Sequence, residues 1–182
     1  LQTGERMLVV GSGGGVNSTA IQLGCHLGAE VHVVAGGSEK AQRAEELGAA
    51  LVVDYKADEA WHKPLFTATE RGGYDVVVDN VGRATWKQSL RLAGIGGRIV
   101  TVGNTSGPLA ETDIRFIFSQ QLSILGSTMG SHADFAAVLE LLVQGALKPL
   151  IHCELPLSEG ARGHEILEQG EMFGKVVLLP NH

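Results

Sequence analysis

Cysteine is scarce in this chain: Cys25 and Cys153 are the only two in 182 residues, far apart and in no C-x-x-C pair. A disulfide framework or a thiolate metal site is therefore not expected, and both residues read as buried or surface thiols. The seven histidines (His26, His32, His62, His132, His152, His164 and His182) form no H-x-x-x-H or H-E-x-x-H set. No zinc site is expected within the chain. Positive charge is also short, with 14 Lys and Arg against 20 Asp and Glu, a net charge of −6 and no basic cluster. That balance argues against a nucleic-acid partner. No apolar run approaches the roughly 20 residues that a membrane-spanning helix needs. The first residues carry no basic n-region of a secretion signal. The expectation is a soluble, cytoplasmic protein with no membrane partner.

Glycine, in contrast, is abundant at 25 residues, and the chain is 44% hydrophobic, enough for one good core. Residues 7–17 read Met-Leu-Val-Val-Gly-Ser-Gly-Gly-Gly-Val-Asn, an apolar run that breaks into glycines and then opens a helical pattern. A strand, a glycine turn and a helix in that order can bind a dinucleotide pyrophosphate. The glycines let the backbone approach the phosphates closely, and the free N–H groups of the helix start hold negative charge. Read as G-x-G-x-x-G, the frame falls on Ser12, Gly14 and Asn17, so only the central glycine is kept. A glycine turn between any strand and helix looks similar, and the context must decide.

Spacing supplies that context. Apolar, β-branched runs begin near Met7, Val31, Leu51, Asp75, Arg98 and Leu122, every 20 to 24 residues. Each gap holds a helix and two short loops, as a right-handed strand–helix–strand unit requires. The runs are continuous rather than alternating, which suits a parallel sheet covered on both faces. Val16, Ala20, Leu23 and Leu27 share one helical face, and Phe135, Val138, Leu139 and Leu142 share another. Ser38 reads as the N-cap of a helix ending at Leu47-Gly48, and Ser131 as the N-cap of the helix after the sixth strand. The fold expected is α/β, a doubly wound parallel six-stranded sheet of the Rossmann type.

The second run ends Val34-Ala35-Gly36-Gly37, where an NAD site places an acid for the ribose hydroxyls. Without that acid there is room for a 2′-phosphate. Ser38 can donate a hydrogen bond, Lys40 brings a point charge and Arg43 follows. NADP(H) is therefore expected over NAD(H). The competing reading makes Ser38 only a cap, Lys40 and Arg43 solvated surface charges, and lets Glu39 turn inward to spoil a phosphate site. The same missing acid counts against a methyltransferase domain. Tyr55 and Tyr74 are not followed by Lys four residues later, so the Tyr-x-x-x-Lys pair of short-chain dehydrogenases is absent. Asp79 reads as a loop-fixing residue, and Trp61, Trp86, Phe116 and Phe118 as packing.

The stretches GERMLVVGSGGGVNSTAIQLGCHLGAEV, EKAQRAEELGA, YDVVVDNVG, GGRIVTVGNTSG, LSILGSTMGS and FGKVVLLP together resemble the cofactor-binding half of the medium-chain dehydrogenase/reductase superfamily. That superfamily includes zinc-type alcohol dehydrogenases and quinone oxidoreductases. Its A-x-x-G-x-x-G turn falls on Gly11, Gly14 and Asn17, so Asn17 stands where a glycine is usual. The resemblance implies pyrophosphate contacts from Gly14, Gly15 and Val16, and 2′-phosphate contacts from Ser38 and Lys40 with Tyr55 nearby. It also implies that Asn80, Val81, Val102, Gly103, Ser127, Thr128 and Met129 line the ribose and nicotinamide.

The resemblance further implies a catalytic domain ahead of Leu1, holding most of the small-molecule substrate site and, in some members, zinc. Residues 1–149 are expected to form the dinucleotide-binding domain. Residues 150–182 are expected to return to the catalytic domain, and to be partly unpaired or repacked without it. On this reading the chain is a fragment that binds cofactor and catalyses little alone. The parent would transfer hydride to or from an alcohol, aldehyde or ketone. The alternatives are a quinone or enone reductase without zinc, or a non-catalytic NADPH-sensing module. By the same resemblance the edge strand, residues 122–127, is expected to pair with its twin in a homodimer.

Overall fold

Six strands pair in parallel in the order β3-β2-β1-β4-β5-β6 in this computed structural model, which describes residues 1–170 and 172–180. They are β1 (Arg6–Val10), β2 (Glu30–Ala35), β3 (Leu51–Asp54), β4 (Tyr74–Asp79), β5 (Ala93–Thr101) and β6 (Ser123–Gly126). Between and after them run α1 (Gly15–His26), α2 (Ser38–Glu46), α3 (His62–Ala68), α4 (Trp86–Leu92), α5 (Ile114–Ser119) and α6 (His132–Val143). The order reverses between β1 and β4, so the sheet is doubly wound as the spacing predicts.

Both faces of the central strands are buried. In β1, Leu8 and Val10 face one apolar cluster with Val34, Tyr74, Val77, Leu90 and Ile99. Met7 and Val9 face the other, with Ile21, Val31, Val33 and Val76. Alternate residues of a strand point to opposite faces, so a strand covered on both must be apolar throughout. Burying each such side chain is worth about 1.5–3 kcal/mol. Close approach of α1 to this sheet depends on Gly24, where a Cβ would lie 2.8 Å from Val31 Cγ2.

Three local features differ from expectation. Ser38 is the first residue of α2 and not its cap; Gly37, at φ +109°, stands at the N-cap with no side-chain bond. The tight turn after β2 needs a residue that tolerates that φ, which moves the cap one position back. β5 begins at Ala93, five residues before the apolar run at Arg98, because Ala93 pairs with Tyr74 across a register shift. α6 forms as predicted, with Ser131 and Asp134 in a reciprocal capping box. Its apolar face, however, is uncovered: Phe135 is 68% exposed and no residue of α6 is buried.

The chain ends in a second, small unit: β7 (Ile151–Pro156), α7 (Gly160–Gln169) and β8 (Lys175–Leu179), with β7 and β8 paired in parallel. Just before this unit the chain is tied to α1 through Lys148: Gln22 Nε2 donates to the Lys148 carbonyl at 3.1 Å, and the Lys148 N–H donates to Gln22 Oε1 at 2.9 Å. The segment between α7 and β8 then crosses the glycine turn. There the Gly174 N–H donates to the Gly13 carbonyl at 2.8 Å. Phe173, 4% exposed, is buried beside it, with the Arg43 guanidinium 5.5 Å over its ring.

Candidate cofactor-binding site

A cleft of about 830 Å³ opens at the carboxyl ends of the strands, over the point where the order reverses between β1 and β4. That size suits a ligand of dinucleotide class. Gly14, Gly15 and Val16 line it at the start of α1. Gly14 is the N-cap, no side chain caps the helix, and its first turn holds no acid. Those free amides and the positive end of the helix dipole favour an anion there. A Cβ built on Gly14 would meet nothing within 4 Å, so the approach is open. In the same wall Ser12, 2% exposed, holds a buried Oγ with no hydrogen-bond partner among the described residues. An unsatisfied buried hydroxyl costs about 1–3 kcal/mol, which a hydrogen-bonding ligand would recover.

Asn17 sits where a glycine is usual, and its amide is put to use. Nδ2 donates to the Val10 carbonyl at 3.0 Å, and Oδ1 accepts from Asn80 Nδ2. The side chain fits because residue 11 is glycine: a Cβ there would lie 2.5 Å from Asn17 Nδ2.

At the other end of the cleft, β2 closes on Ala35 with no acid to follow, and Tyr55 lies against Gly36, where a Cβ would be 2.8 Å from its hydroxyl. The loop is held from below, as Asp54 Oδ1 accepts from the Gly37 and Lys56 N–H groups, both at 2.9 Å. Lys40 reaches the cleft and donates to the Gly170 carbonyl. Glu39 does not turn inward. It pairs with Arg43 at 3.1 Å on the exposed side of α2. Ser38, at the helix start, is not among the residues lining the cleft.

The central wall is built by a buried carboxylate. Asp79, fully buried at the end of β4, accepts from the Val81 and Gly82 N–H groups and from the hydroxyls of Thr85 and Ser89. This fixes the loop that carries Asn80 and Val81 into the cleft, the loop-fixing role read from sequence. Val102 and Gly103, after β5, complete that wall. Ser127, Thr128 and Met129 stand apart from it. The turn they form leaves the edge strand β6 outward, with Met129 at φ +55° and 94% exposed.

Several cleft residues escaped the sequence, among them Thr105, Ser106, Leu167, Met172, Trp61 and Lys175. Trp61 lines the wall beyond β3, with its ring edge-on to His62. Burial, then Lys63 and Arg91, lower the His62 pKa from its ordinary value, so that ring is neutral at pH 7. Lys175 comes from the far end of the chain and lies across the start of α1; a Cβ on Gly15 would be 2.8 Å from its Nζ. No local pattern in the sequence signals that a strand beginning at Lys175 starts at the glycine turn. Among the described residues no group of three or more His, Cys, Asp or Glu is placed to hold a metal ion. A zinc ion finds no ligand set in them.

The sheet order, with a glycine turn at the reversal point, defines a Rossmann-type cofactor-binding domain. Residues 15–144 match the zinc-binding dehydrogenase family, and the chain belongs to that family, within the medium-chain dehydrogenase/reductase superfamily. It is 30% identical over 180 residues to acryloyl-coenzyme A reductase of Metallosphaera sedula, covering 98% of this chain and 52% of that protein. A solved NAD-dependent alcohol dehydrogenase superposes with TM-score 0.93 at 38% identity, over 99% of this chain and 52% of that one. The 2-octenoyl-CoA carboxylase reductase CinF, solved with NADP and 2-octenoyl-CoA, superposes with TM-score 0.91 at 27% identity, over 98% and 44%. The chain spans about half the length of the curated relatives it matches. No helix among the described residues is long and apolar enough to cross a membrane.

Proposed function

We propose that these residues are the nicotinamide cofactor-binding domain of an NADP(H)-dependent oxidoreductase. The observation that carries this reading is the end of β2: it closes on Ala35, without a carboxylate for the ribose hydroxyls, beside Lys40 and Tyr55 in the cleft wall. Bound there, the cofactor supplies hydride at the nicotinamide C4. The chain's own residues bind and orient it. The glycine turn and the α1 start take the pyrophosphate, Lys40 the 2′-phosphate, and Asn80, Val81, Val102 and Gly103 the ribose and nicotinamide end. The substrate, an alcohol, aldehyde or ketone, would meet the ring on a domain outside these residues, so the chain alone binds cofactor and turns over little.

A second reading makes the parent an enone-type reductase acting on an acyl-thioester or quinone without zinc. It is favoured by the likeness to acryloyl-coenzyme A reductase and to CinF with its bound enoyl-CoA. Parallel calorimetric titrations with NADPH and NADH test the cofactor assignment. Tighter NADPH binding that weakens with salt supports it; preference for NADH overturns it while keeping the family.

The domain is further proposed to pair with a second copy along β6. That strand is the sheet edge and every residue of it is exposed, including Ile124 and Leu125. An apolar edge of this kind is an invitation to pairing. Light scattering that returns a dimer mass, reduced to a monomer by Ile124→Lys, is the expected result, and a monomer for the unaltered chain overturns it.

A further inference from the structure

We propose that the outer face of α4, with the cavity between α4 and α5, is a docking subsite for the phosphorylated nucleotide arm of a coenzyme A thioester substrate. The proposal rests on the acyl-thioester reading above and deepens it, giving the substrate's arm a place on this chain apart from the cofactor cleft.

A row of cations without counter-charge carries the argument. Arg83, Lys87 and Arg91 follow one another at intervals of four. The turn before α4 already bonds as a helix, with the Trp86 N–H donating to the Gly82 carbonyl at 2.8 Å, so the three share one face. All three are exposed, and none is in an ion pair or a side-chain hydrogen bond among the described residues. Arg6, Arg43, Arg98, Arg115 and Arg162 each hold a carboxylate instead. In a chain of net charge −6 this row is a local patch of the opposite sign, and it favours a ligand with several negative charges. At 1.5 Å per residue the row is about 12 Å long, so phosphates at two separated positions span it and a single phosphate does not.

One end of the row borders a cavity of about 300 Å³ between the two helices, lined by Lys87, Arg91 and Phe116. The Arg91 guanidinium stands 5.8 Å over the Phe116 ring, which orients it, and a guanidinium plane in turn accepts a stacked nucleobase. Two carboxylates also face the cavity. Asp113 is engaged by Arg115, which donates from Nε and Nη2 to its two oxygens at 2.9 and 2.8 Å. Glu111 is in no ion pair among the described residues and opposes an anion there. The other end of the row opens on the cofactor cleft. Ala84 and Thr85, next to Arg83, line that cleft with Asn80, Val81 and Val102, the wall read above as the nicotinamide end. The Arg83 guanidinium lies against Gly107, its Cζ 3.0 Å from where a Cβ would stand. The surface is built in advance: the Ala84 N–H donates to Ser106 Oγ at 2.9 Å and Trp86 Nε1 to Thr112 Oγ1 at 2.8 Å, tying α4 to the segment after β5. An arm laid along the row therefore directs its thioester at the nicotinamide end while its phosphates stay outside the cleft.

Calorimetry on the chain as it stands tests this with three probes: CoA, dephospho-CoA, which lacks the 3′-phosphate, and pantetheine, which lacks every phosphate. CoA should bind as well with saturating NADPH present as without it. Dephospho-CoA should bind about fivefold more weakly, and pantetheine should give no heat. Lys87→Ala and Arg91→Gln should each weaken CoA about threefold and together about tenfold, the worth of exposed charge pairs. Glu111→Gln should tighten CoA about twofold, a change of sign that damage to the fold would not produce. All three substitutions should leave NADPH affinity within about twofold, since none touches the cleft. CoA affinity that ignores the three substitutions, or CoA displaced by NADPH, overturns the subsite and leaves the acyl-thioester reading standing. No binding of CoA at millimolar concentration overturns both, while NADPH binding by the same chain keeps the cofactor reading.

Discussion

Asn17 and Asn80 join the first helix to the end of the fourth strand. The Asn17 Oδ1 accepts from Asn80 Nδ2 while its own Nδ2 donates to the Val10 carbonyl at 3.0 Å. One amide thus locks β1, α1 and β4 together beneath the cleft, at a residue only 7% exposed. Asn17→Gly restores the residue usual in the superfamily, yet here it should destabilise. It removes two buried hydrogen bonds, strands the Asn80 amide and adds a flexible residue to a helix, about 2 kcal/mol together. The thermal midpoint should fall by roughly 4–8 °C for a domain of this size. An unchanged midpoint would show that the bridge is incidental.

Lys40 stands in the cleft wall beyond β2, a strand that ends on Ala35 without a carboxylate. Its neighbour Glu39 is engaged with Arg43 on the outer side of α2, so it does not oppose an anion in the cleft. Lys40→Ala should weaken NADPH by about tenfold or more and NADH by less than about threefold, because only the former carries the extra phosphate. Calorimetry on both cofactors reads the ratio directly, and equal losses would mean that Lys40 acts through its contacts within the fold and not on the 2′-phosphate.

Asp79 satisfies two backbone N–H groups and two hydroxyls from a position with no solvent exposure. Asp79→Ala leaves the Val81 and Gly82 N–H groups and the Ser89 hydroxyl without this acceptor, while Thr85 keeps the Gly82 carbonyl, and should cost about 3 kcal/mol. Asp79→Asn keeps one oxygen for Val81 and Gly82 and should cost about 1–2 kcal/mol. Denaturant midpoints rank the two; similar small losses would show that the loop after β4 is held by other contacts.

The parts of this structure that the sequence discloses are those decided locally. Continuous apolar runs mark β1 to β4 because each is covered on both faces, and the glycine turn is visible because backbone geometry there demands glycine. β5 starts early because Ala93 is placed by pairing with Tyr74, which no run of side chains announces. Lys175 and Trp61 reach the cleft through tertiary contacts, and the first of these spans most of the chain. Ser38 opens α2 behind Gly37, the N-cap, and does not line the cleft. The 127–129 turn follows an edge strand with nothing on its outer side. The periodicity of α6 told which residues share a face, and could not tell that this face would lie uncovered.

His32 provides a pH dependence whose sign can be worked out. Its ring is 2% exposed in β2, with Nδ1 2.8 Å from the Tyr74 hydroxyl and Nε2 3.1 Å from Glu30 Oε1. Burial lowers its pKa from the ordinary 6.5, and outweighs the attraction of Glu30 that would raise it. Burial also raises the Tyr74 pKa, so that hydroxyl keeps its proton. The unfolded chain therefore takes up a proton on His32 near pH 6.5 while the folded chain does not. Its contribution to stability is complete above pH 6.5 and is lost as pH falls towards the lower folded value. His62 shifts in the same direction and adds to the slope, whereas Glu5, lowered from 4.5, loses its contribution only below that window. Thermal midpoints between pH 7.5 and 5.5 should decline in the unaltered chain and decline less steeply in His32→Gln, whatever the absolute stability of the variant. Parallel declines would mean that His32 is protonated in the folded state as readily as in the unfolded one, and that the Glu30 contact, not burial, governs this buried ring.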